Sequence, residues 1–190
     1  MVHEDRLHRH RDVQGGNARA AVFGISDGLV SNVALILGSA GATTDASFVR
    51  VAGVSGLLAG AISMAAGEYV SVKAQNELIE RELTIERRSI EENPVVETQE
   101  LAAIYERKGL DSDNARQIAT SLMTDPEVAL EVHAREELGV DPDGLGNPVL
   151  VAGSSFGAFG VGAVLPLIPW FFASGSSAVL ASIIIGLFAA

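Results

Sequence analysis

Two carboxylates stand where a carboxylate is costly. Asp27 is the only charged residue between Ala20 and Ala40, and Glu68 is the only one in the 22 residues from Val51 to Val72. A charged side chain at the centre of a membrane span costs roughly 2.5–3.5 kcal/mol on the insertion scale. A carboxylate in hydrocarbon keeps its proton unless a cation or donor stands beside it, so the chemistry that suits it is exchange of a proton for a metal ion. Met64 lies one helical turn before Glu68, which puts a thioether and a carboxylate on one face. Simpler roles compete: Glu68 snorkelling to water, Asp27 bonding another helix, Met64 filling a core.

A second group of candidate ligands lies downstream. Glu82, Glu86 and Ser89 share one side of a helix predicted over Gln75–Glu92, and Glu97 and Glu100 are spaced i, i+3 on the next. His133 and Glu137 are i, i+4 on a later one, with Glu82 and Glu136 as weaker metal candidates. Carboxylate pairs at one-turn spacing with an imidazole suit divalent cations, although a glutamate-rich helix is more often just a solvated one. The chain has no cysteine, so disulfides, thiolate zinc sites and cysteine-held iron–sulfur clusters are excluded. No Glu-x-x-His pair of the di-iron carboxylate enzymes occurs, and the chain is not read as an enzyme.

The elements that must position these groups follow from hydropathy. Residues 19–40, 49–72 and 148–173 read as membrane spans, each with at most two charges. Residues 177–190 begin a fourth span too short to cross, so the sequence is expected to be part of a longer protein. Residues 1–18 form an N-terminal arm without a signal peptide's apolar core, and its His3, His8 and His10 are read as solvated. Residues 73–147 hold 18 of the 24 acidic and 8 of the 13 basic residues, and read as a soluble helical domain inserted between spans two and three.

Within that insert, Pro94 opens a helix that Gly109 stops, Asp111 or Ser112 caps a third helix carrying Ile118 and Leu122, and Asp125-Pro126 opens a fourth that ends at Gly139. The acidic balance excludes nucleic acid as a partner, because phosphate binding needs a positive surface. Basic residues concentrate in the arm and the insert, against Arg50 alone between spans one and two, so arm and insert are expected to be cytoplasmic. Three G-x-x-x-G pairs, Gly24/Gly28, Gly56/Gly60 and Gly153/Gly157, are expected at close helix contacts, and Pro166 and Pro169 are expected to kink the third span. The fold class is therefore all-α: a polytopic membrane bundle with an acidic helical insert.

The blocks FGISDGLVSNVALILG, SMAAGEYVSVKAQ, ERELTIERRSIEENPVVETQELAAIYERKGL and HAREELG, in this order, resemble the vacuolar iron transporter family in the form found widely in prokaryotes. The resemblance implies a five-span homodimer in the cell membrane that exports ferrous iron from the cytoplasm in exchange for protons. It further implies Asp27 and Met64 as pathway ligands, Glu68 near the cytoplasmic mouth, and Glu86, Glu97, Glu100 and Glu137 as metal-gathering carboxylates. Two positions depart from the family pattern: Ser89 stands where a glutamate is expected and His133 where a methionine is expected, the latter favouring zinc or nickel. A fifth span is absent. Manganese is the alternative cargo, and a membrane-anchored metal buffer or sensor is the alternative function.

Overall fold

In hydrocarbon every backbone N–H and C=O must be satisfied within the chain, which leaves helix as the form for an apolar stretch without sheet partners. The computed structural model describes residues 16–189, and all the regular structure in them is helical. The arm with His3, His8 and His10 falls almost wholly outside the described residues. Eight α-helices follow: α1 (Gly16–Ala42), α2 (Ala46–Glu92), α3 (Pro94–Arg107), α4 (Ser112–Leu122), α5 (Pro126–Glu136), α6 (Pro148–Val164), α7 (Pro169–Phe172) and α8 (Ser176–Ala189). The chain divides into two units, residues 1–69 with 148–190, and residues 70–147, and α2 contributes to both.

In the first unit, Ala21–Ala42, Ala46–Glu92 and Pro148–Leu167 are long and apolar enough to cross a membrane. Only 28%, 17% and 28% of their most apolar stretches are buried, so most of that apolar surface faces outward, as lipid requires. Packing inside the unit relies on absent side chains. A Cβ on Gly28 would collide with the Phe159 carbonyl, and one on Gly162 with the Ile25 carbonyl, so α1 and α6 cross nearly backbone to backbone. Gly24 joins that contact, and Gly56 and Gly60 make room for Leu35 and the Phe159 ring. Gly153 and Gly157 meet nothing among the described residues, contrary to the expectation from their spacing, because they lie on a face of α6 that no described helix covers.

The span expected over 148–173 is broken. Pro166 and Pro169 lack the N–H that the carbonyls of Gly162 and Leu165 would receive, so α6 ends at Val164, a 3₁₀ turn covers Leu165–Leu167, and α7 follows. Ser182 on α8 closes this gap: its Oγ donates to the Pro166 carbonyl at 2.8 Å and accepts from Trp170 Nε1 at 3.1 Å. Ile36, Val49, Leu167, Trp170 and Ala178 form the core around it.

The second unit is built by soluble-protein rules. Asn93, before Pro94, leaves helical geometry and separates α2 from α3. Asp111 caps α4 by accepting the Asn114 N–H at 3.1 Å, and Asp125 caps α5 by accepting that of Glu127 at 3.0 Å. Gly109 and Gly139 take positive φ, +103° and +67°, just past α3 and α5. Leu101, Ala102 and Ala119 make one core cluster, and Ile90, Ala129 and Leu130 another. Ala115 and Ala119 are what α4 buries, whereas Ile118 is exposed.

Gly28→Val is expected to destabilise the membrane unit by at least the 1–3 kcal/mol typical of overpacking, and Gly157→Ala to melt with the wild type. Scanning fluorimetry in detergent checks this; equal melting of all three proteins would refute the close α1–α6 crossing.

Candidate functional site

The caps and cores of the second unit bring three helices to one point. Glu86 on α2, Glu97 on α3, and His133 and Glu137 at the end of α5 each present a ligand atom, and these four atoms lie within 4.8 Å of one another. His133 is fully buried, and Glu86 and Glu97 nearly so, at 8% and 7% exposure. Its Nδ1 stands 3.1 Å from Glu86 Oε1, 3.4 Å from Glu137 Oε2 and 3.9 Å from Glu97 Oε2. Glu86 Oε1 has no hydrogen-bond partner despite that 3.1 Å approach, so the two atoms converge without satisfying each other. A divalent cation bonded at about 2.0–2.3 Å separates its ligands by up to about twice that distance, so movements below an ångström would close this set around an ion.

The electrostatics agree with the geometry. Burial, then the neighbouring Glu137, hold the Glu86 carboxyl above the usual carboxylate range, with the His133 imidazole offsetting part of the effect. Burial, then Glu100, do the same for Glu97. Carboxylates gathered against their own repulsion bind protons in the absence of a cation and release them to one.

Of the remaining candidates in this unit, Glu100 is exposed and lies outside the four-residue group, acting on it through its charge. Glu82 is exposed one turn before Glu86, also outside the group. Glu136 forms an ion pair with Lys108. Ser89, half-buried one turn after Glu86, leaves the α2 side of the group with one carboxylate.

The membrane unit has a site of its own. A cavity of about 300 Å³ is lined by Asp27, Ser31 and Asn32 of α1, by Ser63 and Met64 of α2, and by Phe159 of α6. Helical periodicity explains the convergence, because Asp27 and Ser31 are one turn apart, as are Gly56, Gly60 and Met64 on the facing helix. Ser31 Oγ donates to Asp27 Oδ1 at 3.0 Å. Asp27 is exposed, so none of the described residues seals its side of the cavity. Glu68 is half-buried one turn beyond Met64 and does not line the cavity. Sequence reading overlooked Asn32, Ser31 and Ser63; the available signal was polar residues one turn or so from Asp27 and Met64 in otherwise apolar runs.

The family model described as "VIT family" matches residues 18–190. Among curated proteins, the chain is 35% identical over 162 residues to "Vacuolar iron transporter" of Acanthamoeba castellanii, covering 84% of this chain and 58% of that protein. It is 34% identical over 191 residues to "Vacuolar iron transporter 1" of Eucalyptus grandis (96% and 75% covered), and 33% over 180 residues to "Vacuolar iron transporter 1" of Arabidopsis thaliana (92% and 70%). The chain thus spans a little over half to three quarters of the length of these relatives.

The direction of the carboxyl shifts yields a test. A folded-state pKa raised above the unfolded one contributes stability that is full below the unfolded value, about 4.3 for glutamate, and is lost as pH rises through the folded value. The contribution of Glu86 and Glu97 to metal-free stability is therefore expected to fall with rising pH across that window, while metal binding strengthens. Glu97→Gln is expected to raise the metal-free melting temperature at neutral pH and to weaken Mn2+ binding by about tenfold or more, as measured by fluorimetry and calorimetry. A variant that binds Mn2+ like the wild type would remove Glu97 from the ligand set.

Proposed function

Because the chain belongs to the VIT family, we propose that it is the better part of a divalent-metal transporter whose cargo is ferrous iron, exported from the cytoplasm in exchange for protons. The observation that carries this reading is the meeting of Asp27 and Met64, 37 residues apart in sequence, on the wall of one cavity within the membrane unit. A carboxylate and a thioether facing a polar cavity between apolar helices serve an ion that passes through, and a protein that merely stores metal has no use for them there.

The mechanism has two stages. Glu86, Glu97, His133 and Glu137 gather the ion on the cytoplasmic side, with Glu100 adding negative field. Asp27 and Met64 then hold it in the membrane, with Glu68 at the cytoplasmic end of the path. Metal binds the ionised carboxylate and the proton binds the same group in its absence, so Asp27 takes up one on releasing the other, and the two fluxes are coupled. The uncovered side of Asp27 supports a homodimer in which a second copy closes the path. The excess of basic residues in the arm and insert supports a cytoplasmic location for both.

Manganese and zinc are the competing cargoes, since imidazole and carboxylate accept each of them. A metal buffer or sensor is the competing function, and the intramembrane aspartate argues against it. The relatives are named as transporters, and the same non-enzymatic role is assigned to this chain.

The test is ferrous iron flux in proteoliposomes with and without an imposed proton gradient. Gradient-dependent flux is expected in the wild type, with Asp27→Ala reduced to the protein-free background while folding normally. Wild-type flux in Asp27→Ala would exclude Asp27 from the path; absence of flux in a folded, metal-binding wild type would favour the buffer.

A further inference from the structure

We propose that the side-chain oxygen of Asn32 is a ligand for the cation in the membrane cavity, beside Asp27 and Met64. The inference rests on the transport reading above and adds a residue to it. Asn32 is 2% exposed, in a stretch of α1 from Ala20 to Ala40 that is otherwise apolar apart from Asp27 and serines. Its Nδ2 donates to the Ala163 carbonyl at 2.6 Å, which decides the orientation of the amide. The oxygen end is then left over: Oδ1 is buried and has no hydrogen-bond partner. A buried amide oxygen without a partner is costly wherever it occurs, and its persistence calls for an occupant that satisfies it.

The surroundings indicate what that occupant is. Asn32 lines the same cavity as Asp27, Ser31, Ser63 and Met64. Gly56, on the facing helix, lines it too, and a Cβ at that position would meet Leu35 Cδ2 at 2.3 Å and stand 3.0 Å from Oδ1. The glycine therefore keeps the oxygen uncrowded on that side. An amide oxygen is a hard donor of the kind Mn2+ and other oxygen-seeking dications take, whereas the Met64 thioether favours softer ions. It also carries no charge and does not titrate, so it adds a bond to the ion while leaving proton exchange to Asp27.

The difference in donor hardness separates a ligand from a packing residue. In proteoliposomes, Asn32→Ala is expected to raise the KM for Mn2+ by about tenfold or more and that for Cd2+, held chiefly by Met64, by less than about threefold. Asn32→Asp, which keeps a hard oxygen at that place and adds charge to it, is expected to shift the Mn2+/Cd2+ ratio the opposite way, toward Mn2+. Because the cytoplasmic carboxylates are unchanged in both variants, the ratio reports on the cavity. Equal effects on the two metals, or none, would overturn the proposal and leave Asn32 as a brace between α1 and α6. If Asn32→Ala does not give a monodisperse protein, Asn32→Asp decides by the same ratio, an unchanged ratio overturning the proposal. Wild-type protein that moves neither metal would instead refute the transport reading, and this inference with it.

Discussion

Hydrocarbon offers no hydrogen bonds, and the membrane unit is organised by that constraint. At several points where its helices carry or uncover a polar atom, a side chain of the same unit supplies the partner. The break at Pro166 and Pro169 is tolerated because Ser182 reaches across from α8 and ties both the Pro166 carbonyl and the Trp170 indole. Asn32 spans from α1 to the Ala163 carbonyl, and Asp27 is met by Ser31 one turn along its own helix. Two buried polar atoms of the described residues in this unit are left over after this accounting: Asn32 Oδ1, on the wall of the cavity beside Asp27, and Ser155 Oγ, which does not line it.

The unit of residues 70–147 answers to a different constraint. Water satisfies its exposed ion pairs, such as Arg87–Glu127 and Arg135–Asp141, so these add little to stability. Its specific structure comes from caps at Asp111 and Asp125, glycine stops at Gly109 and Gly139, and small apolar clusters around Leu101 and Ile90. These elements hold Glu86, Glu97 and Glu137 closer together than three like charges would settle by themselves. The metal-free arrangement is therefore strained electrostatically, and part of the cohesion from the apolar clusters is spent keeping a binding site open.

The parts of this structure that local chemistry controls could be read from the sequence. Pro94, Asp125-Pro126, Gly109 and Gly139 act on their immediate neighbours, and the helices start and stop where those residues dictate. The one-turn spacing of His133 and Glu137 was legible for the same reason. Placement of a residue relative to a different helix was not. Glu136 has the same charge and nearly the same position as Glu137, yet the rotation of α5 sends it to Lys108. The G-x-x-x-G spacing is alike at Gly24/Gly28 and Gly153/Gly157, but only the first pair faces a neighbour, because the rotation of α6 aligns Gly162 and Ala158 with α1. Asn32 escaped notice because an asparagine in an apolar run becomes informative only once its amide nitrogen is seen to be engaged and its oxygen idle.

The two sites differ in a way that fits their places in a transport path. On the proposed reading, the three carboxylates around His133 give up their protons to an arriving dication, and the group, near −3 when fully ionised, would then be left at about −1, which favours the ion over water. Within one chain the cavity near Asp27 offers a single carboxylate among neutral oxygens and a thioether, so a dication would leave it net positive, or neutral where a second copy adds its own Asp27. On the proposed reading attraction there would be much weaker, and an ion would be released as readily as it is taken, which conduction requires. Neutral donors such as the serine hydroxyls and the Asn32 amide replace lost hydration without deepening the electrostatic well. A cavity lined by three carboxylates in the same low-dielectric setting would hold its ion too firmly to pass it on. On the proposed reading, the segregation of charge, acidic in the unit of residues 70–147 and nearly neutral in the membrane spans, would suit turnover as well as insertion.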